Sequence, residues 1–335
     1  MAEKPNLFQY ATSELSQDAF LCWLIAWADA SQVQHDKALN QCATRFVRAL
    51  LGKGDDFEVK TIKVGKQWEK IDVWVEVNNQ YFLGIEDKIG SSVHSNQLNR
   101  YKEIAKNYYK DKNYELKFIY FKMYEQADSS EVEQAEYLWF RRAQMLPILA
   151  DYIKEVGENH ANNILLDYYL KLKKLNEDIN SYQTQPLTDW SWDAWHGFYA
   201  TLQKDIGESN WNYVSNPSGG FLGFWWYWYG AEYNGTPYEY YLQLEQEEFT
   251  FKLCCENAES RAEIRDFYRE KLFAKAQELG IEIYKAGRLG TYMSVAKLSS
   301  NYRKANPDGT LNMKETLKTL QQMQTLLDQV SQELS

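Results

Sequence analysis

Two carboxylates and a lysine occur close together between residues 72 and 88, in a segment where apolar and polar residues alternate. Asp72 has an apolar residue on either side, and Glu86 and Lys88 follow after a further thirteen residues. Side chains two positions apart in a strand point to the same face, so Glu86 and Lys88 are predicted to share one. Paired carboxylates provide the oxygen ligands that Mg²⁺ prefers, and a neighbouring lysine can stabilise charge developing on a phosphate. The triplet therefore indicates metal-assisted phosphoester hydrolysis.

Three consecutive strands are predicted to position these side chains. Period-two runs cover residues 57–64, 71–77 and 81–86, and Asn78-Asn79 marks a tight turn between the second and third runs. The hairpin formed by this turn can bring Asp72 alongside Glu86. Apolar spacing predicts helices before and after the three strands, followed by one more strand: helices at 14–29, 36–51 and 94–110, and a strand at 116–121.

The triplet resembles the D…(D/E)-x-K signature of the PD-(D/E)XK nuclease superfamily. Asp72 and the run Glu86-Asp87-Lys88 match that signature, and the order helix, three strands, helix, strand is the order of the superfamily's core. Ile71 stands where the signature has proline, a departure that many members share. The resemblance covers about residues 10–125. It implies an α/β (α+β) fold with a restriction-endonuclease-like core of order α-β-β-β-α-β and helical extensions. The pattern of the second half of the chain adds a C-terminal α+β region.

Two helices extend the resemblance. Gln97-Leu-Asn-Arg-Tyr101 is similar to the Q-x-x-x-Y element of the RecB-like and exonuclease-like branches, which are largely bacterial. Glu14, in the first helix, matches an acidic residue that many branches use as an additional metal contact. The simpler interpretations are a carboxylate favoured by the helix dipole for Glu14, a surface position for Gln97 and a core contact for Tyr101.

The resemblance implies a role for each matching residue. Glu14, Asp72, Glu86 and the backbone carbonyl of Asp87 would hold Mg²⁺ or Mn²⁺. Catalysis would involve Asp72, Glu86, Lys88 and Gln97, with Lys88 positioning the attacking water. Tyr101 and Lys70 are the candidate substrate-binding residues, although Lys70 and the lysines before it are equally consistent with a solvated face. The implied substrate is nucleic acid, DNA rather than RNA, in repair, recombination or defence.

Beyond the core the pattern is helical at 131–156 and 161–179, and a polar stretch at 180–186 resembles a linker. The predicted domains are a nuclease-like core at 1–156, a helical connector at 157–185 and a C-terminal α+β domain at 186–335. The C-terminal pattern comprises helices and strands: a helix at 188–206, strands within 211–255, a helix at 257–279, strands within 281–298 and a helix at 312–334.

Six consecutive aromatic residues at 224–229 are the most unusual feature of the C-terminal pattern. In a regular strand they would place three rings on each face, one set in the core and the other available for bases, sugars or a partner. The C-terminal region is thus a candidate surface for a protein partner or a second copy of the chain. The alternative functions are a nuclease-fold binding module without activity and a protein-interaction module.

Composition limits the class of protein. The 335 residues are 44% hydrophobic and 25% charged, which argues against disorder over the whole length. The net charge of −10 argues against a general nucleic-acid coat protein. Residues 53–124 nevertheless carry 13 Lys or Arg against 11 Asp or Glu, so a local basic face can form there.

Cysteine, histidine and hydropathy patterns disfavour several other classes. The four cysteines form no C-x-x-C pair and the four histidines are scattered, which disfavours a disulfide framework, a structural zinc site and a Ser-His-Asp triad. The apolar run at 19–28 is half of the ~20 residues that a membrane-spanning helix needs. The chain begins Met-Ala-Glu-Lys with no charged-then-apolar leader, so a cytoplasmic location is expected.

Overall fold

The computed structural model describes residues 4–90, 96–216 and 219–334, so the extreme N-terminus considered above lies partly outside the described residues. The chain divides into two compact units, Met1–Glu177 and Asp178–Ser335. The helices and strands of the first unit follow in chain order: α1 (Glu14–Ala26), α2 (Lys37–Leu51), β1 (Ile62–Trp68), β2 (Ile71–Val77), β3 (Tyr81–Lys88), α3 (Gln97–Tyr109), β4 (Glu115–Lys122), α4 (Ser130–Gln134), β5 (Leu138–Arg141), α5 (Arg142–Val156) and α6 (Asn163–Asn180), whose last turn crosses into the second unit.

The first unit contains a five-stranded mixed sheet with the strand order β1-β2-β3-β4-β5. β1, β2 and β3 are antiparallel neighbours, whereas β4 lies parallel to β3 and β5 lies parallel to β4. The parallel step from β3 to β4 is possible because α3 forms the crossover between them. The predicted fold class and the predicted core order of helix, three strands, helix and strand are confirmed.

The turn between β2 and β3 fixes the register that the site depends on. Asn78 and Asn79 both have positive φ angles, 55° and 51°, and the Gln80 N–H donates to the Val77 carbonyl at 3.0 Å. Positive φ at both central positions is typical of a type I′ turn, whose twist suits a hairpin. The resulting register places Val73 opposite Ile85, and Asp72 therefore lies next to Glu86.

Each face of the sheet is covered by different helices. Along β2 and β3, alternate side chains such as Val75 and Leu83 pack into the larger core with α1, α2, α5 and α6. The other face, which includes Phe82 on β3, packs against Leu98 and Tyr101 of α3. The start of α1 is capped by the Ser13 hydroxyl, which accepts from the Ser16 N–H.

Two sequence predictions for this unit differ from the structure. The strand predicted at 57–64 begins only at Ile62, because the Asn78 side chain accepts from the N–H groups of Lys60 and Thr61 in place of a neighbouring strand. The helix predicted at 131–156 is interrupted by β5, since residues 138–141 extend to pair with β4. His94, the predicted start of the third helix, lies outside the described residues.

The second unit begins near the end of α6 and contains a six-stranded antiparallel sheet in the order β10-β11-β9-β8-β7-β6. Its helices and strands follow in chain order: α7 (Trp192–Ile206), β6 (Ser209–Val214), β7 (Phe221–Tyr233), β8 (Thr236–Glu245), β9 (Glu248–Cys254), α8 (Arg261–Glu278), β10 (Ile283–Lys285), β11 (Tyr292–Leu298) and α9 (Met313–Leu334). In the described parts of the chain, none of the helices has both the length and the hydropathy of a membrane span.

The aromatic run in β7 does not alternate regularly, contrary to the sequence prediction. Trp226 pairs with Leu242 and Tyr229 pairs with Tyr240, so two residues of β7 lie opposite one residue of β8. This is a β-bulge, and its first residue, Tyr227, has a left-handed φ of 63°. The bulge changes the alternation after Trp226 and therefore overturns the expectation of three rings on each face.

Candidate active site

The ammonium group of Lys88 lies between two carboxylates on the face of the sheet that α3 covers. Its Nζ is 2.5 Å from Glu86 Oε1 and 3.6 Å from Asp72 Oδ2, and it also donates to the Asp87 carbonyl at 2.9 Å. Asp72 Oδ2 accepts from the Asp87 N–H at 3.0 Å, which holds the end of β2 against β3. The hairpin therefore brings together the triplet Asp72, Glu86 and Lys88.

Gln97, the first residue of α3, connects that helix to the triplet. Its Nε2 donates to Glu86 Oε1 at 2.7 Å and to the Tyr101 hydroxyl at 3.0 Å. Tyr101 lies one turn further along α3 and is only 4% exposed. The Gln97 amide thus connects the Glu86 carboxylate to the Tyr101 hydroxyl, and among the described residues Tyr101 is hydrogen-bonded to the triplet only through Gln97.

Glu14 lies beside the end of β3, at the first position of α1. Its Oε1 accepts from the Ile89 N–H at 3.2 Å, directly after Lys88. Lys70, in contrast, is exposed in the turn between β1 and β2, where its left-handed φ is 72°. The structure therefore places Glu14 next to the triplet and Lys70 at the surface, in the turn before Asp72.

The Asp87 side chain points away from the triplet, because successive strand residues face opposite sides of the sheet. Its Oδ1 accepts from Gln17 Nε2 at 2.6 Å, and the Tyr168 hydroxyl of α6 donates to Gln17 Oε1 at 3.1 Å. The side chain of Asp18 is also in this group. Only the backbone carbonyl of Asp87, which contacts Lys88, faces the triplet.

Lys122 is a residue of this region that the sequence analysis did not single out. It is the register partner of Lys88 on the parallel strand β4, and its side chain is 1% exposed. Burial lowers the pKa of Lys122 to about 8; the carboxylate of Glu14 opposes this shift, and the charge on Lys88 adds to it. The sequence feature that indicates it is a lysine directly after the apolar run 118–121.

Burial and neighbouring charges shift the pKa values of Glu86 and Lys88. Burial and the nearby Asp72 carboxylate raise the pKa of Glu86 to about 7, against the opposing effect of Lys88. Burial alone would lower the pKa of Lys88, but the Glu86 carboxylate, followed by Asp72 and Glu14, holds it above the usual value. The site thus concentrates carboxylates around the Lys88 ammonium group.

A second buried acidic pair lies behind the sheet. Asp18 is 1% exposed and Asp87 is fully buried, and one carboxyl oxygen of each has no hydrogen-bond partner among the described residues. Burial and the Asp72 carboxylate raise the pKa of Asp18 to about 6, and burial raises that of Asp87 well above its usual range. Protonation therefore stabilises this pair.

Asp18→Asn is expected to increase the free energy of unfolding by about 2 kcal/mol at pH 8 in the presence of a chelator. Between about pH 4 and 6 the folded state binds the Asp18 proton more tightly than the unfolded state does, so wild-type stability falls as pH rises through this window. Asparagine has no charge to bury and avoids that loss. Urea denaturation at pH 5 and pH 8 measures the difference, with the exposed Asp111→Asn as control. An equal increase in the free energy of unfolding at pH 5 and at pH 8 would contradict the raised pKa of Asp18.

The oxygen-rich donor set suits a divalent cation such as Mg²⁺. Glu86 Oε2 is buried and has no hydrogen-bond partner among the described residues, and Asp72 and the Asp87 carbonyl lie beside the same lysine. Within the described ranges, no group of three or more His, Cys, Asp or Glu is arranged to hold a metal ion. Mg²⁺ does not require such a group, because it is commonly held by one or two carboxylates together with waters and substrate phosphates.

Comparison with known proteins agrees with the geometry. A family model described as the PD-(D/E)XK nuclease superfamily matches residues 5–186, more than half of the chain. The chain belongs to the PD-(D/E)XK nuclease superfamily. No curated protein and no solved structure matches it.

The superfamily match extends beyond the core that the sequence signature covers. It includes Glu14, the triplet and Gln97, and it continues past the whole of α6. α6 supplies Tyr168, which stacks on Phe20 with ring centroids 3.7 Å apart and also contacts Gln17. Helix α6 therefore packs with the PD-(D/E)XK core in the first unit.

Proposed function

We propose that this chain is a metal-dependent phosphodiesterase that hydrolyses DNA. The observation that supports the proposal most directly is the position of Lys88 between Glu86 and Asp72 on one face of the sheet. Membership of the PD-(D/E)XK nuclease superfamily supports the same reaction class. A role in DNA repair, recombination or defence, a cytoplasmic location, and a protein partner or second copy of the chain at the C-terminal region are parts of the same proposal.

Each residue of the proposed site would have a separate role in metal binding or catalysis. Asp72, Glu86 and the Asp87 carbonyl would hold Mg²⁺ or Mn²⁺, with Glu14 as a further contact. When bound, the ion would lower the pKa of a coordinated water and offset charge on the phosphate. Lys88 would position the attacking water and stabilise the negative charge that develops on the phosphoryl oxygens.

Neighbouring residues would support this arrangement. Gln97 would keep the Glu86 carboxylate oriented, since it already donates to Oε1, and Tyr101 would hold Gln97 in place. Lys122 would add positive charge close to Lys88, where a bound phosphodiester brings negative charge. Lys70, exposed in the turn before Asp72, would contact the DNA backbone at the edge of the site.

Calorimetry and cleavage assays together test the proposal. We expect saturable Mg²⁺ binding to the wild type, with affinity at least about tenfold weaker in Asp72→Ala, because a carboxylate ligand is lost. Mg²⁺-dependent cleavage of linear, circular and single-stranded DNA should exceed cleavage of RNA of the same sequence, and a chelator should stop it. Asp111→Ala, an exposed aspartate outside the site, is the matched control.

Three outcomes would count against the proposal. Equal Mg²⁺ binding in Asp72→Ala would refute the assigned ligand, and preferential cleavage of RNA would refute the assigned substrate. Binding of DNA without cleavage, at any concentration of Mg²⁺ or Mn²⁺, would instead favour a nuclease-fold binding module.

A further inference from the structure

Three basic side chains form a row across the carboxyl ends of the parallel strands β3, β4 and β5. Lys88 is the register partner of Lys122, and Lys122 is the register partner of Arg141. Register partners on neighbouring strands point to the same face of a sheet, so all three side chains leave the sheet on the face of the triplet. Neighbouring strands are about 4.8 Å apart, which puts the Arg141 backbone roughly 10 Å from that of Lys88. We refer to the three residues as the basic row.

Arg141 differs from the other two members of the basic row in its exposure. Lys88 is 8% exposed and Lys122 is 1% exposed, whereas Arg141 is exposed at the end of β5. Lys88 is paired with the carboxylates of the triplet. The neighbouring Arg142 is paired with Glu125, but Arg141 forms no ion pair within the described parts of the chain. The outermost charge of the basic row is therefore available to an anion from solution.

Trp139 holds the Arg141 guanidinium in place. The two residues are two positions apart in β5, so they share a face, and the guanidinium carbon lies over the Trp139 ring at 3.7 Å from its centre. A guanidinium stacked on a ring keeps its N–H donors in its own plane, where they can contact a phosphate in a bidentate manner. Because the ring restrains the side chain before an anion arrives, less entropy is lost on binding.

A buried tyrosine fixes the position of Trp139 relative to the triplet. Tyr120 of β4 is the register partner of both Glu86 and Trp139. Its side chain is fully buried, and its ring meets the Trp139 ring at 6.0 Å in an edge-to-face arrangement. Closely packed side chains of this kind have little freedom to move, so the fold sets the separation between Arg141 and the triplet. A ligand that contacts both must carry negative charge at two separate points.

We propose that Arg141, held by Trp139, binds the phosphate next to the scissile one in the DNA strand. This inference rests on the proposed function, which places the scissile phosphate beside Lys88. A strand that crosses the carboxyl ends of β3, β4 and β5 brings its next phosphate to Arg141. Arg141 is thus a substrate-binding residue that fixes the register of the strand without reading its sequence, because phosphate contacts carry no direct sequence information. The site accordingly takes strands with two or more phosphodiesters in preference to a dinucleotide.

Fluorescence anisotropy with a labelled oligonucleotide measures the contribution of Arg141 to DNA binding. The parent is Lys88→Ala with Mg²⁺, in which the strand stays intact. Adding Arg141→Ala should weaken binding about tenfold and lower the slope of log affinity against log salt by about one, since one charged phosphate contact is lost. Lys112→Ala is the matched control: Lys112 is also exposed and lies over an aromatic ring, that of Tyr108 at 3.6 Å, but it precedes the opposite end of β4. It should bind DNA as the parent does.

Cleavage kinetics in the chain that retains Lys88 provide a second measurement. Arg141→Ala should raise KM for DNA about tenfold and change kcat by less than about twofold, because the contact is equally strong in the ground state and the transition state. Mg²⁺ affinity should be unchanged. Arg141→Lys keeps the charge but lacks the planar fork, so it should recover only part of the lost affinity.

Strands with one neutral methylphosphonate linkage identify the phosphate that Arg141 contacts. In the Lys88→Ala parent, one neutral position beside the scissile linkage should weaken binding about tenfold. The same strand should bind to the variant with Arg141→Ala nearly as well as the unmodified strand does, because the partner of that phosphate is already absent.

The outcomes separate this inference from the proposed function. Equal DNA affinity with and without Arg141 would overturn the inference, and so would an Arg141→Ala variant that keeps the parent's sensitivity to every neutral linkage. Cleavage with an unchanged KM in Arg141→Ala would overturn the inference and leave the proposed function intact. Arg141-dependent DNA binding without cleavage by the wild type would support the Arg141 contact and contradict the proposed function. Absence of DNA binding by the wild type would overturn both.

Discussion

Lys88→Ala is expected to reduce Mg²⁺-dependent turnover by about 100- to 1,000-fold, the usual effect of removing a group that stabilises charge in the transition state. Mg²⁺ affinity should be retained or increased in the same variant. The Lys88 ammonium lies 2.5 Å from the buried Glu86 carboxylate and 3.6 Å from the partly exposed Asp72 carboxylate, so its removal leaves both with less compensating charge. Calorimetry and single-turnover cleavage measure the two effects separately.

The controls for Lys88 separate charge from geometry. Lys88→Arg keeps the charge but lacks the compact ammonium group, so it should restore little activity. Lys63→Ala removes an exposed lysine on β1 that pairs with Glu76 elsewhere on the sheet, and it should change turnover by less than about twofold. Wild-type turnover in Lys88→Ala would show that the lysine has no part in catalysis.

Glu86→Gln is expected to reduce both turnover and Mg²⁺ affinity, turnover by about 1,000-fold, because it replaces the charged carboxylate of the proposed metal ligand with a neutral group of the same size. Burial raises the pKa of Glu86 to about 7. Since Mg²⁺ binds the deprotonated carboxylate, wild-type affinity should fall as pH is lowered below about 7. The weak binding that remains in Glu86→Gln should lack this pH dependence.

Glu76→Gln is a suitable control for this experiment. Glu76 is a partly buried carboxylate on the same hairpin, and it accepts from the Tyr109 hydroxyl at 2.8 Å. It has no role in the proposed site, so its variant should retain both Mg²⁺ binding and cleavage. If Glu86→Gln also kept wild-type Mg²⁺ affinity over pH 6–8, Glu86 would not be a metal ligand.

The parts of the fold that depend on local pattern were predictable from the sequence. The bounds of β2 were predicted without error, since the alternation of 71–77 is unbroken, and Asn78-Asn79 indicated the turn. The proximity of Asp72 and Glu86 followed from that hairpin. Their roles, and those of Lys88 and Gln97, stay predictions.

Features that depend on distant contacts were not predictable. β5 is four residues long and forms because β4 has a free edge with which it can pair. The local sequence of β5 does not indicate this pairing. The burial of Lys122 follows from its register with Lys88, and that register results from the crossover through α3. The bulge at Tyr227 runs against local preference, because a tyrosine rarely adopts a left-handed conformation.

The type I′ turn at Asn78-Asn79 also has a consequence for the order of folding. Hairpins of this kind form within about 1–10 μs, because their contacts are close in sequence and little chain entropy is lost on closing the loop. Asp72 and Glu86 are therefore expected to meet before β4 joins the sheet, since the pairing of β3 with β4 must await the crossover through α3. The two carboxylates would then be adjacent at an early stage of folding, when water still surrounds them and screens their repulsion. The slower burial of the site would follow.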